Sequence, residues 1–117
     1  MKIAISAAGK DIESLLDTRF GRCEYFQIHD TVSGNINVIE NRGKTSSGGA
    51  GIAASNQLIS ENVDVVITGN LGPNAFELIE KAEIKAYKSE SIAIKLVLDK
   101  YKNGELEEIK ISGPAHH

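Results

Sequence analysis

The segment Val63-Asp64-Val65-Val66-Ile67-Thr68 constrains this chain more than any other stretch. It is short, rich in β-branched residues and almost wholly apolar, so it reads as a strand buried on both faces. It ends in Gly69-Asn70-Leu71-Gly72-Pro73. Pro73 suits the first position of a helix, where its missing N–H costs nothing. A strand that needs covering on both faces and feeds directly into a helix calls for a layered α/β fold.

The remaining elements follow from the apolar period. Lys2 to Ser6 is a second strand suited to a doubly covered sheet. Tyr25 to Asp30 and Ile36 to Glu40 alternate around Ser33-Gly34-Asn35 and read as an antiparallel hairpin. Ala50, Ala54 and Leu58 mark a helix from Ala50 to about Asn62. Ile84 to Tyr87 is a short strand. Ser89 is expected to cap the last helix and Gly104 to end it in a left-handed turn, with Ile92, Ala93, Leu96, Val97 and Tyr101 packed inward. Leu106 to Ile111 reads as an extended tail. The expected fold is a three-layer α/β/α domain with a five-stranded mixed sheet and helices on both faces. Its 117 residues make one domain, spanning 1–112, with 113–117 as a flexible tail carrying His116 and His117.

Charge and cysteine content narrow the function. Thirteen basic against sixteen acidic residues give −3, which argues against non-specific binding to nucleic acid or an anionic membrane. There is no apolar run of about 18 residues to span a bilayer. MKIAISAAGKD turns polar too soon for a signal peptide, so the cytoplasm is the expected compartment. A single cysteine rules out an internal disulfide and any all-cysteine metal site within one chain.

Ligands on such sheets bind beyond the carboxyl ends of the parallel strands, where helix N-termini converge. Three loops there carry candidate residues. The first, Ser47-Gly48-Gly49-Ala50-Gly51, opens a helix. Its spacing formally matches a dinucleotide fingerprint, but the loop before it is long and no acidic residue follows the next strand to hold a ribose. Two readings stay open: free amides that attract an anion, or glycines that let the helix approach the sheet. The second, Gly69 to Asn74, is either a concave row of donors, with Asn70 and Asn74 adding side-chain amides, or an ordinary strand–helix turn. The third is Arg19-Phe20-Gly21-Arg22-Cys23. There Cys23 is either a thiolate ligand for a soft metal, favoured by the two cations, or a buried inert thiol. His29, within a strand, reads as structural. The first strand carries no carboxylate and Asp64 starts its strand, so two-metal nuclease chemistry lacks its ligands. Walker and nucleophile-elbow sequences are absent. The chain is expected not to be an enzyme.

Taken in order, MKIAIS followed by Gly9-Lys10-Asp11, Arg19-Phe20-Gly21-Arg22 ahead of Tyr25-Phe26, Ser47 to Gly51, Val63 to Gly69, Gly72-Pro73-Asn74-Ala75-Phe76 and Gly104-Glu105-Leu106 resemble the dinitrogenase iron–molybdenum cofactor biosynthesis family, of the NifX/NifB type. The resemblance covers nearly the whole chain. It implies a ribonuclease H-like α/β/α domain without catalytic activity of its own, which carries an iron–sulfur or iron–molybdenum cluster, or its precursor, between cofactor-assembly proteins; the chain is separately expected to be a monomer. Many members have a histidine at the position of Gly49. On this reading Cys23 would ligate the metal. Arg19, Arg22 and the amides of Ser47, Gly48, Gly49, Gly51, Gly69, Asn70 and Asn74 would meet the cluster's negative charge. The alternative is a regulatory or metabolite-binding module that uses the same loops without metal.

Overall fold

The computed structural model describes residues 1–113; the expectations for His116, His117 and the end of the tail lie outside the described residues. Strands β1 (Lys2–Ala7), β2 (Tyr25–Asp30), β3 (Ile36–Glu40), β4 (Val65–Thr68), β5 (Lys85–Lys88) and β6 (Glu107–Glu108) alternate with helices α1 (Ala50–Ser60), α2 (Pro73–Lys81) and α3 (Ile94–Lys102). They form one sheet in the order β3-β2-β1-β4-β5-β6. β1, β4 and β5 are parallel, while β2 and β6 run the other way. The carboxyl ends of β1 and β3 meet at one edge, since Tyr25 opposes both Ala7 and Glu40.

Side-chain alternation divides the core into two layers. On one face Ala4, Phe26, Ile28, Val66 and Ala86 pack against Ala54, Leu58, Ala75 and Ile79 of α1 and α2. On the other, Ile3, Ile5, Val65 and Ile67 pack against Leu16 and against Ile94 and Val97 of α3. Both faces of β4 are buried, as its apolar run requires. Pro73 opens α2 with Gly72 as its N-cap, and Gly104 follows α3 at φ +70°.

Three expectations need correction. The sheet has six strands, not five, because two residues of the presumed tail pair antiparallel with Tyr87 and Lys88. So short an edge strand leaves no periodic signal. Ser89 does not cap α3: its main chain donates to Thr68, extending the sheet, and the helix begins at Ile94 with Ala93 as N-cap. Leu96 points outward and is 46% exposed.

Candidate functional site

Two adjoining hollows lie where α1 and α2 begin. One, of ≈ 490 Å³, is lined by Arg19, Arg22, Ser47 and Gly48. The other, of ≈ 240 Å³, is lined by Gly51, Asn70, Gly72, Pro73, Asn74 and Ala75. Phe20, Gly21, Gly49 and Ala50 line both, so the two form one groove. No carboxylate lines either part.

Backbone geometry explains why glycine recurs here. Gly49, the N-cap of α1, sits at φ +67°, a left-handed conformation that costs other residues energy. A Cβ on Gly21 would lie 2.8 Å from the Gly51 nitrogen, and one on Gly43 would lie 2.8 Å from the Gly21 oxygen and clash with the Ala50 oxygen. Three backbone segments therefore touch beneath the groove. Gly51 in turn faces Ala75 closely enough that α1 and α2 start side by side. Their first-turn amides have no intrahelical acceptor, and both helix dipoles present their positive ends to the groove.

The arginines differ in their engagements. Arg19 is bridged to Asn70 through the main chain and forks onto Asp17, with Nη2 at 3.0 Å and Nε at 3.2 Å from the carboxylate oxygens. This bond and the Asp17 charge raise its pKa further. Its side chain remains 60% exposed. Arg22 donates from Nη1 to Ser46 O at 2.7 Å, with Gly43 O and Lys44 O at the limit of hydrogen-bond distance, so it also braces the loop leading to α1.

Cys23 does not join them, and its expectation as a metal ligand is corrected here. The residue is 0% exposed, packed with Phe20, Phe26 and Ala54. The sulfur lies 3.3 Å from Tyr25 O and 3.5 Å from Phe20 O, and takes a long hydrogen bond from Asn41 Nδ2. Burial, then the charge of Asp17, pushes its thiol up to about 12, so it stays protonated at neutral pH. The neighbouring arginines do not reverse this, because the turn ahead of β2 buries the sulfur while they face solvent. Gly69 also lies apart: it lines hollows toward Lys88 and Glu107, with Thr18 pressed against its backbone. The structure thus brings together Arg19, Arg22, Ser47, Gly48, Gly49, Gly51, Asn70 and Asn74, and leaves out Cys23 and Gly69.

Sequence reasoning misses Asn41, whose buried side chain joins the segments under the groove. An asparagine directly after a strand and two residues before a glycine is an Asx-turn signal that could have found it. His29 is structural, as expected: its Nε2 meets Gln27 Oε1 at 3.0 Å, and burial, then Lys102, lowers its pKa. Among the described residues no group of three or more His, Cys, Asp or Glu could hold a metal ion, and no helix is long and apolar enough to cross a membrane.

Known proteins are similar to this chain in architecture and in sequence. A family model described as dinitrogenase iron–molybdenum cofactor matches residues 1–104. The apo form of the orange protein from Desulfovibrio gigas superposes with a TM-score of 0.89 at 29% identity, over 98% of this chain and 96% of that one. A candidate NifB protein from Thermotoga, of the DUF35 family, superposes at 0.85 with 36% identity over 98% of both chains. An uncharacterized protein of Methanocaldococcus jannaschii is 29% identical over 98 residues, 81% of this chain and 83% of its own.

Proposed function

The chain belongs to the dinitrogenase iron–molybdenum cofactor family, and from that premise we propose that it is a non-catalytic carrier. Its cargo is an anionic iron–sulfur or iron–molybdenum cluster, or a precursor of one, passed between cofactor-assembly proteins. The observation that carries this reading is a groove without a single lining carboxylate in a protein of net charge −3. Two guanidinium groups and two helix N-termini converge there, an arrangement that favours a polyanion over a cation.

The groove's chemistry supports one way of holding that cargo. No thiolate or imidazole lines it, and Cys23 is sealed behind it as a thiol. A preassembled cluster that brings its own terminal ligands as well as its bridging sulfides can be held by charge and amide hydrogen bonds without a protein–metal bond. Weak outer contacts suit a carrier, which must also release. Asp64 does not support two-metal chemistry: it lies at the amino end of β4, where it accepts the Lys2 main-chain N–H, on the far end of the sheet from the groove.

The lack of soft donors also favours a second reading, a module that binds a phosphate-bearing metabolite through the same amides. One experiment separates them. Anaerobically purified protein is mixed with isolated iron–molybdenum cofactor or a thiolate-capped [4Fe–4S] cluster and passed over a sizing column. Co-elution of iron with the protein, lost in the Arg19→Ala/Arg22→Lys variant, supports the carrier. A protein that elutes metal-free yet is thermally stabilised by a nucleotide supports the second reading and overturns the first.

A further inference from the structure

Asn41 follows β3 directly and is 1% exposed. Its side-chain nitrogen donates to Gly21 O and to Cys23 O, each at 3.0 Å, with Phe20 O and Cys23 Sγ farther off at 3.5 Å. Its Oδ1 accepts the Gly43 N–H at 2.9 Å. Only an amide satisfies this set: donors on one side, an acceptor on the other. The reverse orientation would set Oδ1 against main-chain carbonyls and the NH₂ against an N–H.

The two segments it joins form the underside of the groove. Gly21 lines both hollows, and Gly43 packs against Gly21 and the first turn of α1. The amide thus fixes the spacing between the arginine-bearing turn and the start of α1. It also draws the Gly21 carbonyl oxygen toward the interior, so that the negative end of that peptide dipole does not face the groove. A carbonyl released from this bond is free to turn outward and oppose an anion.

We propose that Asn41 is a positioning residue of the groove, which sets the affinity for anionic cargo by clamping the Phe20–Cys23 turn to Gly43 and holding its carbonyls away from the ligand. The inference rests on the carrier reading above. It assigns a task to a side chain that touches no ligand, so its test needs a readout that stability alone would not move.

The variants are Asn41→Ala, Asn41→Ser and, as a control of stability, Val97→Ala in the opposite core layer. Each is titrated anaerobically with isolated iron–molybdenum cofactor, well below its own unfolding midpoint, and amide hydrogen exchange is followed without ligand. Asn41→Ala is expected to bind about tenfold more weakly or worse. Exchange at Gly21, Gly43 and the first turn of α1 should accelerate while β1 and β4 stay protected. Val97→Ala should lower the midpoint and leave affinity unchanged. If Asn41→Ala does not fold, Asn41→Ser is read by the same measures. Unchanged affinity in a folded Asn41 variant, or the same loss of affinity in Val97→Ala, would overturn the proposal. If the wild-type protein binds no cofactor, the carrier reading fails, and exchange alone decides whether the clamp exists: unchanged rates at Gly21 and Gly43 remove it.

Discussion

Five consecutive residues, Arg19 to Cys23, reach both the rim of the groove and the interior just behind it, yet these are opposite environments. Arg19 and Arg22 stand in solvent, charged, at the edge of a carboxylate-free hollow. Cys23, one residue farther, is enclosed by aromatic rings and held as a thiol. These five residues are the turn ahead of β2, which leaves both arginines in solvent and brings Cys23 into the core layer of Phe26 and Ile28. Adjacency in sequence therefore placed no sulfur in the site. On the proposed reading the contrast divides the work: the rim meets the charge of the cargo, and the interior, through Gly21, Gly43 and Asn41, fixes the rim's shape.

The largest effect should come from breaking the interior. Gly43→Ala puts a methyl group against the Ala50 and Gly21 backbones, which cannot yield as a side-chain tip would. A loss of about 3 kcal/mol in denaturant unfolding is expected. A smaller loss would mean that the three segments are less tightly apposed than described.

Alkali should sharpen the contrast next. The unfolded chain releases the Cys23 proton near the ordinary thiol value of 9.0, whereas the folded chain holds it to about 12. Between those values the unfolded state binds fewer protons, so stability falls as pH rises, by about 1.4 kcal/mol per pH unit in this window. Stability from this group is fully present below pH 9. Unfolding measured across pH 8 to 11 should show the decline, and Cys23→Ala should flatten it. Equal slopes in both proteins would place the sulfur in contact with water.

Arg22→Ala removes the brace on Ser46 O and should cost about 1 kcal/mol by thermal or chemical unfolding, with increased protease sensitivity in residues 43–49. Arg19→Ala breaks only a largely exposed pair with Asp17, so its effect on stability should stay within about 0.5 kcal/mol. Its effect should instead show in cluster binding, which ought to weaken further as salt rises. An Arg19 variant that lost stability but not binding would exchange the roles assigned to the two arginines.

Much of the fold was legible because its signals are local. The apolar run before Gly69, the alternation on either side of Ser33-Gly34-Asn35, and Pro73 at the start of α2 each follow from the period or from one residue's chemistry. The resemblance carried by the ordered glycine loops led to a family that the match over residues 1–104 bears out. β6 escaped because two residues have no period, and Ser89 misled because a serine before a helix can instead continue a strand's hydrogen bonding. In the site, the glycines and arginines announced themselves by type. The side to which Cys23 points depends on where β2 begins relative to the turn, and Asn41 acts across the long range between residues 20 and 43. The Asx turn onto Gly43 is a local signal, but the orientation of Cys23 and the reach of Asn41 to residues 20–23 are written in no single window of sequence.

The central claim is that charge and main-chain amides, not the cysteine sulfur, hold the cargo. It is tested most directly by anaerobic titration of isolated iron–molybdenum cofactor into the wild-type, Cys23→Ala and Arg19→Ala proteins. Cys23→Ala should bind as the wild type does, and Arg19→Ala about tenfold more weakly. Loss of binding in Cys23→Ala with full retention in Arg19→Ala would contradict the account.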